Sequence, residues 1–316
     1  MIMKLIFNTI RLLRPRQWIK NLAIFAAITF SGELFNPLVL DKVLIGFVVL
    51  CGLSSATYII NDIFDIKSDR LHPFKKFRPL AHNDIPLTLA IFIAAILALG
   101  SLFVGLKYVT LTFSIITLIY LLLQFFYSFF LKAIAVADIL AIATGYILRV
   151  YAGEFASGFH ISVWLLLTAI SLSLFLAVGK RKSELTLVSQ VKDANIASIR
   201  KSLSHYSERL LDVYATTFAT STFVFYSLFT FLENPKGFQL GLKIFLPDFF
   251  PAFFYRKWLM ITIAPVVYGL MRYIQDIYEK HEGESPEKVL LSDRPLLITV
   301  IIWVFLVIGV VYFIAP

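Results

Sequence analysis

The chain has 316 residues, of which 59% are hydrophobic and only 16% are charged, and its formal net charge is +9. Soluble domains contain about 25% charged residues, so this composition excludes a soluble globular protein and predicts a polytopic membrane protein. The positive charge forms no separate basic domain and accompanies no nucleic-acid-binding motif, so we interpret it as a topology signal and predict no nucleic-acid partner. The single cysteine, Cys51, excludes an internal disulfide and gives no support to a cysteine metal site.

Apolar runs of about 20 residues predict about nine membrane-spanning helices within a single membrane domain, residues 1–316. The fold class expected from this pattern is an all-α bundle. The predicted spans are 18–38, 41–61, 85–106, 108–128, 134–153, 161–179, 210–232, 258–275 and 295–314.

The distribution of lysine and arginine predicts the orientation in the membrane. With the N-terminus inside, most of the 29 Lys and Arg residues lie on the cytosolic side. We therefore expect a protein of the cell (inner) membrane with a cytosolic N-terminus and an external C-terminus. Two cytosolic segments, 62–84 and 180–209, are longer than turns require and are predicted to cap the bundle. The aromatic-rich external segment 233–257 suits the outer interface and is assigned no chemistry.

A dense acidic cluster follows the second predicted span. Carboxylates are costly beside lipid, so such a cluster is a functional-site hypothesis. At about 100° per residue, Asn61, Asp62, Asp65 and Asp69 fall on one stripe of a single helix. Three like charges on one face raise each other's pKa values, and a bound cation is the simplest reason to tolerate them. Because hard oxygen ligands favour Mg²⁺, the sequence predicts a magnesium site at these four residues.

Positively charged side chains follow the acidic cluster directly. Mg²⁺ is typically held by one or two carboxylates together with substrate phosphates, which predicts a diphosphate substrate. The cations Arg70, Lys75, Lys76 and Arg78 would bind the remaining phosphate oxygens. The alternative is a solvated loop beside the membrane that obeys the positive-inside bias.

Six motifs extend along nearly the whole chain. They are Arg14-Pro15-Arg16-Gln17-Trp18-Ile19-Lys20-Asn21, Asn61-Asp62-x-x-Asp65-x-x-x-Asp69-x-x-His72-Pro73-x-Lys75-x-x-Arg78-Pro79, Tyr127-Ser-x-x-Leu-Lys132, Leu148-Arg149-Val-x-Ala152-Gly153, Gly179-Lys180-Arg181-x-x-Glu184-Leu185 and Ser285-Pro286-Glu287-Lys-Val-Leu-Leu-x-Asp293-Arg-Pro295-Leu. Together they resemble the UbiA superfamily of intramembrane prenyltransferases, and within it the branch of decaprenyl-phosphate phosphoribosyltransferases. The Asn-Asp-x-x-Asp-x-x-x-Asp element is specific to the superfamily, and the His-Pro-x-Lys and Trp-x-Lys-Asn elements resemble that branch.

The resemblance implies transfer of 5-phosphoribose from phosphoribosyl diphosphate to a polyprenyl phosphate, with release of diphosphate and a requirement for Mg²⁺. It also implies nine helices around a cavity that is open to lipid, with two cytosolic caps, and a role in cell-wall or glycolipid pentose precursors. In this mechanism Asp62, Asp65 and Asp69 are the catalytic carboxylates, and together with Asn61 they hold the metal against the diphosphate. The lipid phosphate is already an anion, so no general base is assigned.

Two alternatives stay open. The first keeps the fold but moves a polyprenyl group from its diphosphate to an aromatic acceptor. It is disfavoured because members with that activity usually carry a second acidic motif, where this chain offers only Asp138; the metal count is left open. The second is a transporter, which predicts acids near the membrane midplane and broken helices. The oligomeric state and the lipid chain length are not predicted.

The predicted substrate-binding residues are Gln17, Lys20, Asn21, His72, Lys75, Arg78, Tyr127, Lys132, Asp138, Lys180 and Arg181. Several have structural alternatives, since interfacial Lys, Arg and Tyr residues also mark the membrane boundary.

Three of the expectations are specific to position. Gln17 and Lys20 are three residues apart, which favours a shared target. Asp138 suits either an ion pair, with Lys132 or a cation of the caps, or substrate contact. Arg149 is expected to extend to the far membrane interface.

Overall fold

The structure is a computed structural model that describes residues 2–71, 75–189, 201–233, 257–279 and 286–314. Within these ranges the chain forms only helices and the turns between them, so the predicted all-α class is confirmed. The α-helices are α1 (Ile2–Leu13), α2 (Ala26–Phe30), α3 (Pro37–Phe64), α4 (Ile66–Leu71), α5 (Leu87–Tyr108), α6 (Leu111–Phe129), α7 (Ala137–Ser157), α8 (Val163–Ser189), α9 (Glu208–Leu232), α10 (Ile263–Glu279), α11 (Pro286–Ser292) and α12 (Arg294–Gly309).

Shorter helical turns connect these helices. They are the 3₁₀ segments Pro15–Phe25, Lys75–Phe77, Leu131–Ala133, Lys201–His205 and Trp258–Thr262, and a π-helical turn, Val310–Ile314, that continues α12. Three parts of the predictions lie outside the described residues, namely His72, residues 190–200 of the second cap and residues 234–256 of the external segment.

Within the described ranges, seven helices are long and apolar enough to cross a membrane: α3, α5, α6, α7, α8, α9 and α12 with its π-helical turn. The count of nine is not confirmed, because the other two predicted spans, 18–38 and 258–275, are interrupted. Each begins as a 3₁₀ segment and continues as a shorter α-helix, α2 or α10. Proline contributes to the second interruption, since Pro265 lies in the first turn of α10 and has no N–H to bond to the preceding turn.

Asparagine and aspartate side chains fix the starts of two of the spanning helices. Asn36 accepts a hydrogen bond from the backbone N–H of Leu38 (3.2 Å), and Asp293 accepts one from Leu296 (3.0 Å). Each of these N-cap residues is followed by a proline in the first turn of the helix, where a backbone N–H would have no helical partner in any case.

The central helices are those that carry most of the motif residues. In the spanning windows of α3 and α7, 61% and 56% of residues are buried, against 17% in α5 and 22% in α12. Large apolar side chains cover the outer helices, for example Leu99 and Phe305, and are suited to contact with lipid. Several polar residues on α3 and α7, among them Ser54, Asp62 and Arg149, therefore lie inside the bundle.

The second predicted cap begins as helix. The predicted sixth span ends at 179, whereas α8 continues to Ser189. Lys180 and Arg181 consequently belong to a rigid helix, and adjacent helical residues point about 100° apart. The two cations therefore lie on different faces.

The first cap is anchored by apolar packing. Leu80 and Ile85 are buried against Leu12 of α1 and Ile59 of α3. Arg70 also donates a hydrogen bond to the carbonyl oxygen of Ala81 (3.1 Å). This packing holds the segment after α4 against the cytosolic end of α3.

Gly153 allows α7 to approach the 3₁₀ segment closely. A Cβ atom at this position would lie 1.9 Å from the carbonyl oxygen of Ile24, which is backbone and cannot rotate away. We expect Gly153→Ala to destabilise the protein by about 3 kcal/mol or more. Gly100 is the matched control, because a Cβ there meets no atom within 4 Å. Thermal unfolding in detergent should show a lower midpoint for Gly153→Ala alone; equal midpoints for both variants would contradict this packing.

Candidate functional site

A cavity of about 80 Å³ lies between the first 3₁₀ segment and helices α3, α6, α7 and α8. We call it the basic cavity, and its lining residues are Lys20, Tyr58, Gln124, Tyr127, Ala141, Ile142, Tyr146, Arg149, Leu176, Lys180 and Pro286. Three of the predicted substrate-binding residues, Lys20, Tyr127 and Lys180, therefore meet in one place. Among the described residues that line it, three are cations and none is acidic. Such a lining suits an anionic ligand.

Arg149 lies inside the bundle, so the expectation that it reaches the far interface is wrong. It is 4% exposed and donates hydrogen bonds to Asn21 Oδ1 (2.7 Å), the Gly145 carbonyl oxygen (2.6 Å) and Tyr120 OH (2.8 Å). The guanidinium also stacks on the Tyr120 ring, 4.7 Å from its centroid. All of these partners are neutral, and a buried charge without a counter-charge is costly. An anion in the basic cavity would supply that counter-charge.

Asn21 lies deeper than predicted. It is fully buried, and instead of lining the cavity it donates to Cys51 Sγ (3.3 Å) and accepts from Ser54 Oγ (3.2 Å) as well as from Arg149. Its role here is to hold the guanidinium of Arg149 in place. The sequence signal for this arrangement is an arginine within an apolar span, which is by default a functional hypothesis.

Gln17 and Lys20 share a target, the carboxylate of Glu287 on α11. Lys20 Nζ lies 2.9 Å from Glu287 Oε2 and donates to Gln17 Oε1 (2.6 Å), while Gln17 Nε2 donates to Glu287 Oε1. Burial raises the pKa of Glu287, but the charge and hydrogen bond of Lys20 outweigh it and hold this pKa below its usual range. Glu287 is therefore an anion at neutral pH. Its motif is part of the family resemblance, but no pattern in the sequence provides a physical reason to assign Glu287 a role.

Lys180 is the third cation of the basic cavity. It is partly buried, and within the described ranges it makes neither an ion pair nor a hydrogen bond. Its ammonium group is therefore available to an anion in the cavity.

Arg181, its neighbour, is directed elsewhere. It is fully buried and pairs with Asp138 (Nε–Oδ2 3.1 Å) and with Glu184, and it donates to Tyr127 OH (3.1 Å). Asp138 is also fully buried and accepts from Tyr206 OH (2.7 Å). Of the two interpretations of Asp138, the structure favours the ion pair, with Arg181 as the cation. The pair ties α8 to the start of α7 and orients Tyr127.

The acidic cluster spans two helices and not one as predicted. Helix α3 ends at Phe64, Asp65 is its C-cap, and α4 begins at Ile66. Asp62 and Asp69 converge on one atom, Arg78 Nη1, at 3.1 and 2.7 Å, and Asp62 also pairs with Arg14 (2.5 Å).

Asp65 faces a different partner. Its Oδ1 lies 2.6 Å from Lys132 Nζ, and its Oδ2 accepts a hydrogen bond from Asn61 (2.9 Å). The four predicted ligands therefore form two groups. Cations neutralise all three carboxylates, so the repulsion argument for a bound metal does not hold on its own.

The donor chemistry at the α3–α4 break still fits a hard cation. Across the described ranges, no three His, Cys, Asp or Glu side chains are placed to share a metal ion. Mg²⁺, however, is commonly held by only one or two carboxylates plus substrate phosphates. Asp62 and Asp69 supply two carboxylate oxygens that converge on the position of Arg78 Nη1. Burial raises the pKa of Asp69, and the nearby Asp62 and Asp65 charges add to this effect while Arg78 opposes it.

The carboxylates and the basic cavity are adjacent. Tyr58, which lines the cavity, precedes Asp62 by one turn of α3 and donates to Gln17 Oε1 (3.2 Å). The guanidinium of Arg14 lies over the Tyr58 ring, 5.2 Å from its centroid, and pairs with Asp62. Of the remaining predicted residues, Lys75 lies on the 3₁₀ turn just before Arg78. Its backbone carbonyl oxygen accepts a hydrogen bond from the backbone N–H of Arg78 (2.9 Å).

Curated relatives cover almost the whole chain. A decaprenyl-phosphate phosphoribosyltransferase of Mycolicibacterium smegmatis is 36% identical over 98% of this chain and 94% of the relative. One from Corynebacterium glutamicum is 34% identical over 96% and 86%, and one from Mycobacterium tuberculosis is 33% identical over 95% and 93%.

Solved structures show the same fold. A UbiA homolog from Archaeoglobus fulgidus bound to GPP and Mg²⁺ superimposes with a TM-score of 0.69 at 18% identity, covering 96% of this chain and 99% of that one. The same homolog bound to DMAPP and Mg²⁺ gives 0.69 at 17% identity, covering 95% and 98%. The model of the UbiA prenyltransferase family matches residues 22–292. The chain is an integral membrane protein that belongs to the UbiA prenyltransferase family.

Proposed function

We propose that this protein transfers 5-phosphoribose from phosphoribosyl diphosphate to a polyprenyl phosphate and releases diphosphate. The observation that carries the proposal is the basic cavity, in which Lys20, Arg149 and Lys180 come together beside the carboxylates of the α3–α4 break. The relatives named decaprenyl-phosphate phosphoribosyltransferase support the same substrates. The diphosphate, the ribose 5-phosphate and the lipid phosphate together need more cations than a prenyl diphosphate alone would.

We assign the two ends of the site to different phosphates. Asp62 and Asp69 would hold Mg²⁺, which would neutralise the charge that develops on the leaving diphosphate. Arg78 lies beside these two acids and Lys132 lies beside Asp65, and both cations suit the outer phosphate oxygens. The basic cavity takes the phosphate of the lipid acceptor. We further propose that both ends of the site face the cytosol, under caps formed by 62–84 and 180–209, with the C-terminus outside.

The reaction is a displacement at C1 of the ribose. The bond from C1 to the diphosphate oxygen breaks, and a bond from C1 to an oxygen of the lipid phosphate forms. The nucleophile is already an anion, so these residues position and neutralise charge and need not remove a proton. Lys20, Arg149 and Lys180 would orient the attacking oxygen.

A direct assay tests the proposal. Purified protein, Mg²⁺, labelled phosphoribosyl diphosphate and polyprenyl phosphate should yield labelled lipid and free diphosphate. The alternative function predicts instead that a prenyl diphosphate is consumed with an aromatic acid. Absence of label in the lipid together with that second reaction would overturn the proposal.

Glu287 gives a further prediction, since its carboxylate pairs with Lys20 of the basic cavity. Glu287→Gln removes the negative charge that competes with a phosphate, but it also removes the partner that orients Lys20 and Gln17. We expect the loss of orientation to dominate, with kcat reduced about tenfold to a hundredfold. Glu279→Gln, in which an exposed carboxylate hydrogen-bonds only to Gln275 among the described residues, serves as the control. An unchanged kcat in Glu287→Gln would contradict this role.

A further inference from the structure

A second cavity, of about 240 Å³, lies between the membrane-spanning helices α3, α5 and α6. We call it the apolar groove, and its walls include Thr57, Ile60, Ala98, Leu121, Gln124 and Phe125. The Thr57 hydroxyl is already committed to the Ser54 carbonyl oxygen (2.8 Å), so Gln124 is the polar end of an otherwise hydrocarbon surface. Phe125 is 44% exposed, which leaves the groove open to acyl chains on its outer side.

Gln124 belongs to both cavities. On α6, Leu121 lies one turn before it in the apolar groove, and Tyr127 lies one turn after it in the basic cavity. Its amide packs against α7, because a Cβ atom at Gly145 would lie 2.8 Å from Gln124 Nε2. The carbonyl oxygen of the same Gly145 accepts a hydrogen bond from Arg149. The amide thus lies between a buried cation and a hydrocarbon surface.

A ligand that fills both cavities must be an anion joined directly to a hydrocarbon chain. The basic cavity has three cations for the anion, and the apolar groove offers no further charge within the described residues. A water-soluble sugar diphosphate has no apolar part to place there, whereas a phosphorylated lipid has both parts.

We propose that the apolar groove binds the isoprene units nearest to the phosphate of the polyprenyl phosphate, with the phosphate in the basic cavity and the Gln124 amide at their junction. This inference rests on the proposed function and adds the route of the lipid chain. The groove holds only the first few units, and the rest of the chain continues into the bilayer between α5 and α6. Gln124 is then a positioning residue.

A bulky side chain in the groove tests this route. Ala98→Trp fills the groove from α5, whereas Ala95→Trp places the same indole one turn earlier on the exposed, lipid-facing surface. With a long-chain polyprenyl phosphate we expect Ala98→Trp to raise the KM for the lipid at least tenfold and to leave the KM for phosphoribosyl diphosphate unchanged. Ala95→Trp should match the wild type. Equal lipid KM values for both variants would overturn the inference.

Photolabelling of the wild-type protein gives a second measurement that does not depend on a variant folding. A polyprenyl phosphate with a diazirine in one of its first isoprene units should label α5 and α6 at the groove, and unlabelled polyprenyl phosphate should compete. Labelling confined to other helices would overturn the route even if phosphoribosyl transfer occurs. Labelling in the groove without any phosphoribosyl transfer would support the route and reject the proposed function, so the two failures are distinguishable.

Discussion

Arg149→Met should reduce transfer by about a thousandfold while the protein still folds. The substitution keeps an unbranched side chain of similar length but removes the charge that we assign to the acceptor phosphate. Removing one preorganised donor from a charge-stabilising site commonly lowers kcat by about 10²–10³, and the loss of a full buried charge should reach the upper part of that range. The cost to stability is smaller, about 1–3 kcal/mol, for leaving Asn21 and Tyr120 with an unmatched hydrogen-bonding group.

Two further variants separate charge from packing at this position. Arg149→Lys restores the charge but cannot reproduce three hydrogen bonds in fixed directions, so it should recover only part of the activity. Asn21→Asp would place a carboxylate 2.7 Å from the guanidinium in the position of the present amide oxygen. It should neutralise Arg149 and weaken lipid phosphate binding without loss of stability. Normal affinity for polyprenyl phosphate in both Arg149→Met and Asn21→Asp would remove the acceptor phosphate from the basic cavity.

The membrane helices could be predicted from the sequence because hydropathy and length are local properties. Seven of the nine predicted spans are continuous helices of spanning length. The span that begins near Trp18 could not be predicted as a 3₁₀ segment, because its geometry depends on where Asn21 and Lys20 find partners. These partners are Arg149 and Glu287, more than a hundred residues away in the chain.

The acidic cluster shows the limit of a periodicity argument. The spacing of Asn61, Asp62, Asp65 and Asp69 assumes one continuous helix, and the sequence between them contains neither glycine nor proline to indicate a break. The actual break at Asp65 turns that carboxylate towards Lys132, while Arg78 returns from the first cap to bind the other two. Such a partner is fixed by the path of the cap, which local patterns do not encode.

The length of α8 also determines the different contacts that Lys180 and Arg181 make. A span that ends at 179 leaves Lys180 and Arg181 as equivalent loop cations, whereas the continuation of α8 to Ser189 separates their directions. Lys180 lines the basic cavity, and Arg181 is held in a buried pair with Asp138. Arg181→Met should therefore affect folding more than lipid affinity, in contrast to Lys180→Met.

Asp69→Asn should reduce transfer by at least about a hundredfold. An amide at this position has a similar shape but no charge, so it supplies a weaker oxygen ligand for a divalent cation and a weaker partner for Arg78. The Mg²⁺ concentration for half-maximal activity should rise, and we expect a smaller fall in stability, since Asp62 retains both Arg14 and Arg78. Asp69 is chosen over Asp62 because replacing Asp62 would remove contacts with two arginines, Arg14 and Arg78.

Asp84→Asn is the matched control for this experiment. Asp84 lies in the same cap and pairs with His82 (3.2 Å), whereas Asp62 and Asp69 pair with Arg78. Its replacement should change neither the Mg²⁺ dependence nor kcat by more than about twofold, as for most residues outside a charge-stabilising site. If Asp69→Asn behaves like Asp84→Asn over a full Mg²⁺ titration, the carboxylates of the α3–α4 break do not bind the metal. The release of diphosphate would then depend on Arg78, Lys132 and the other cations beside these acids.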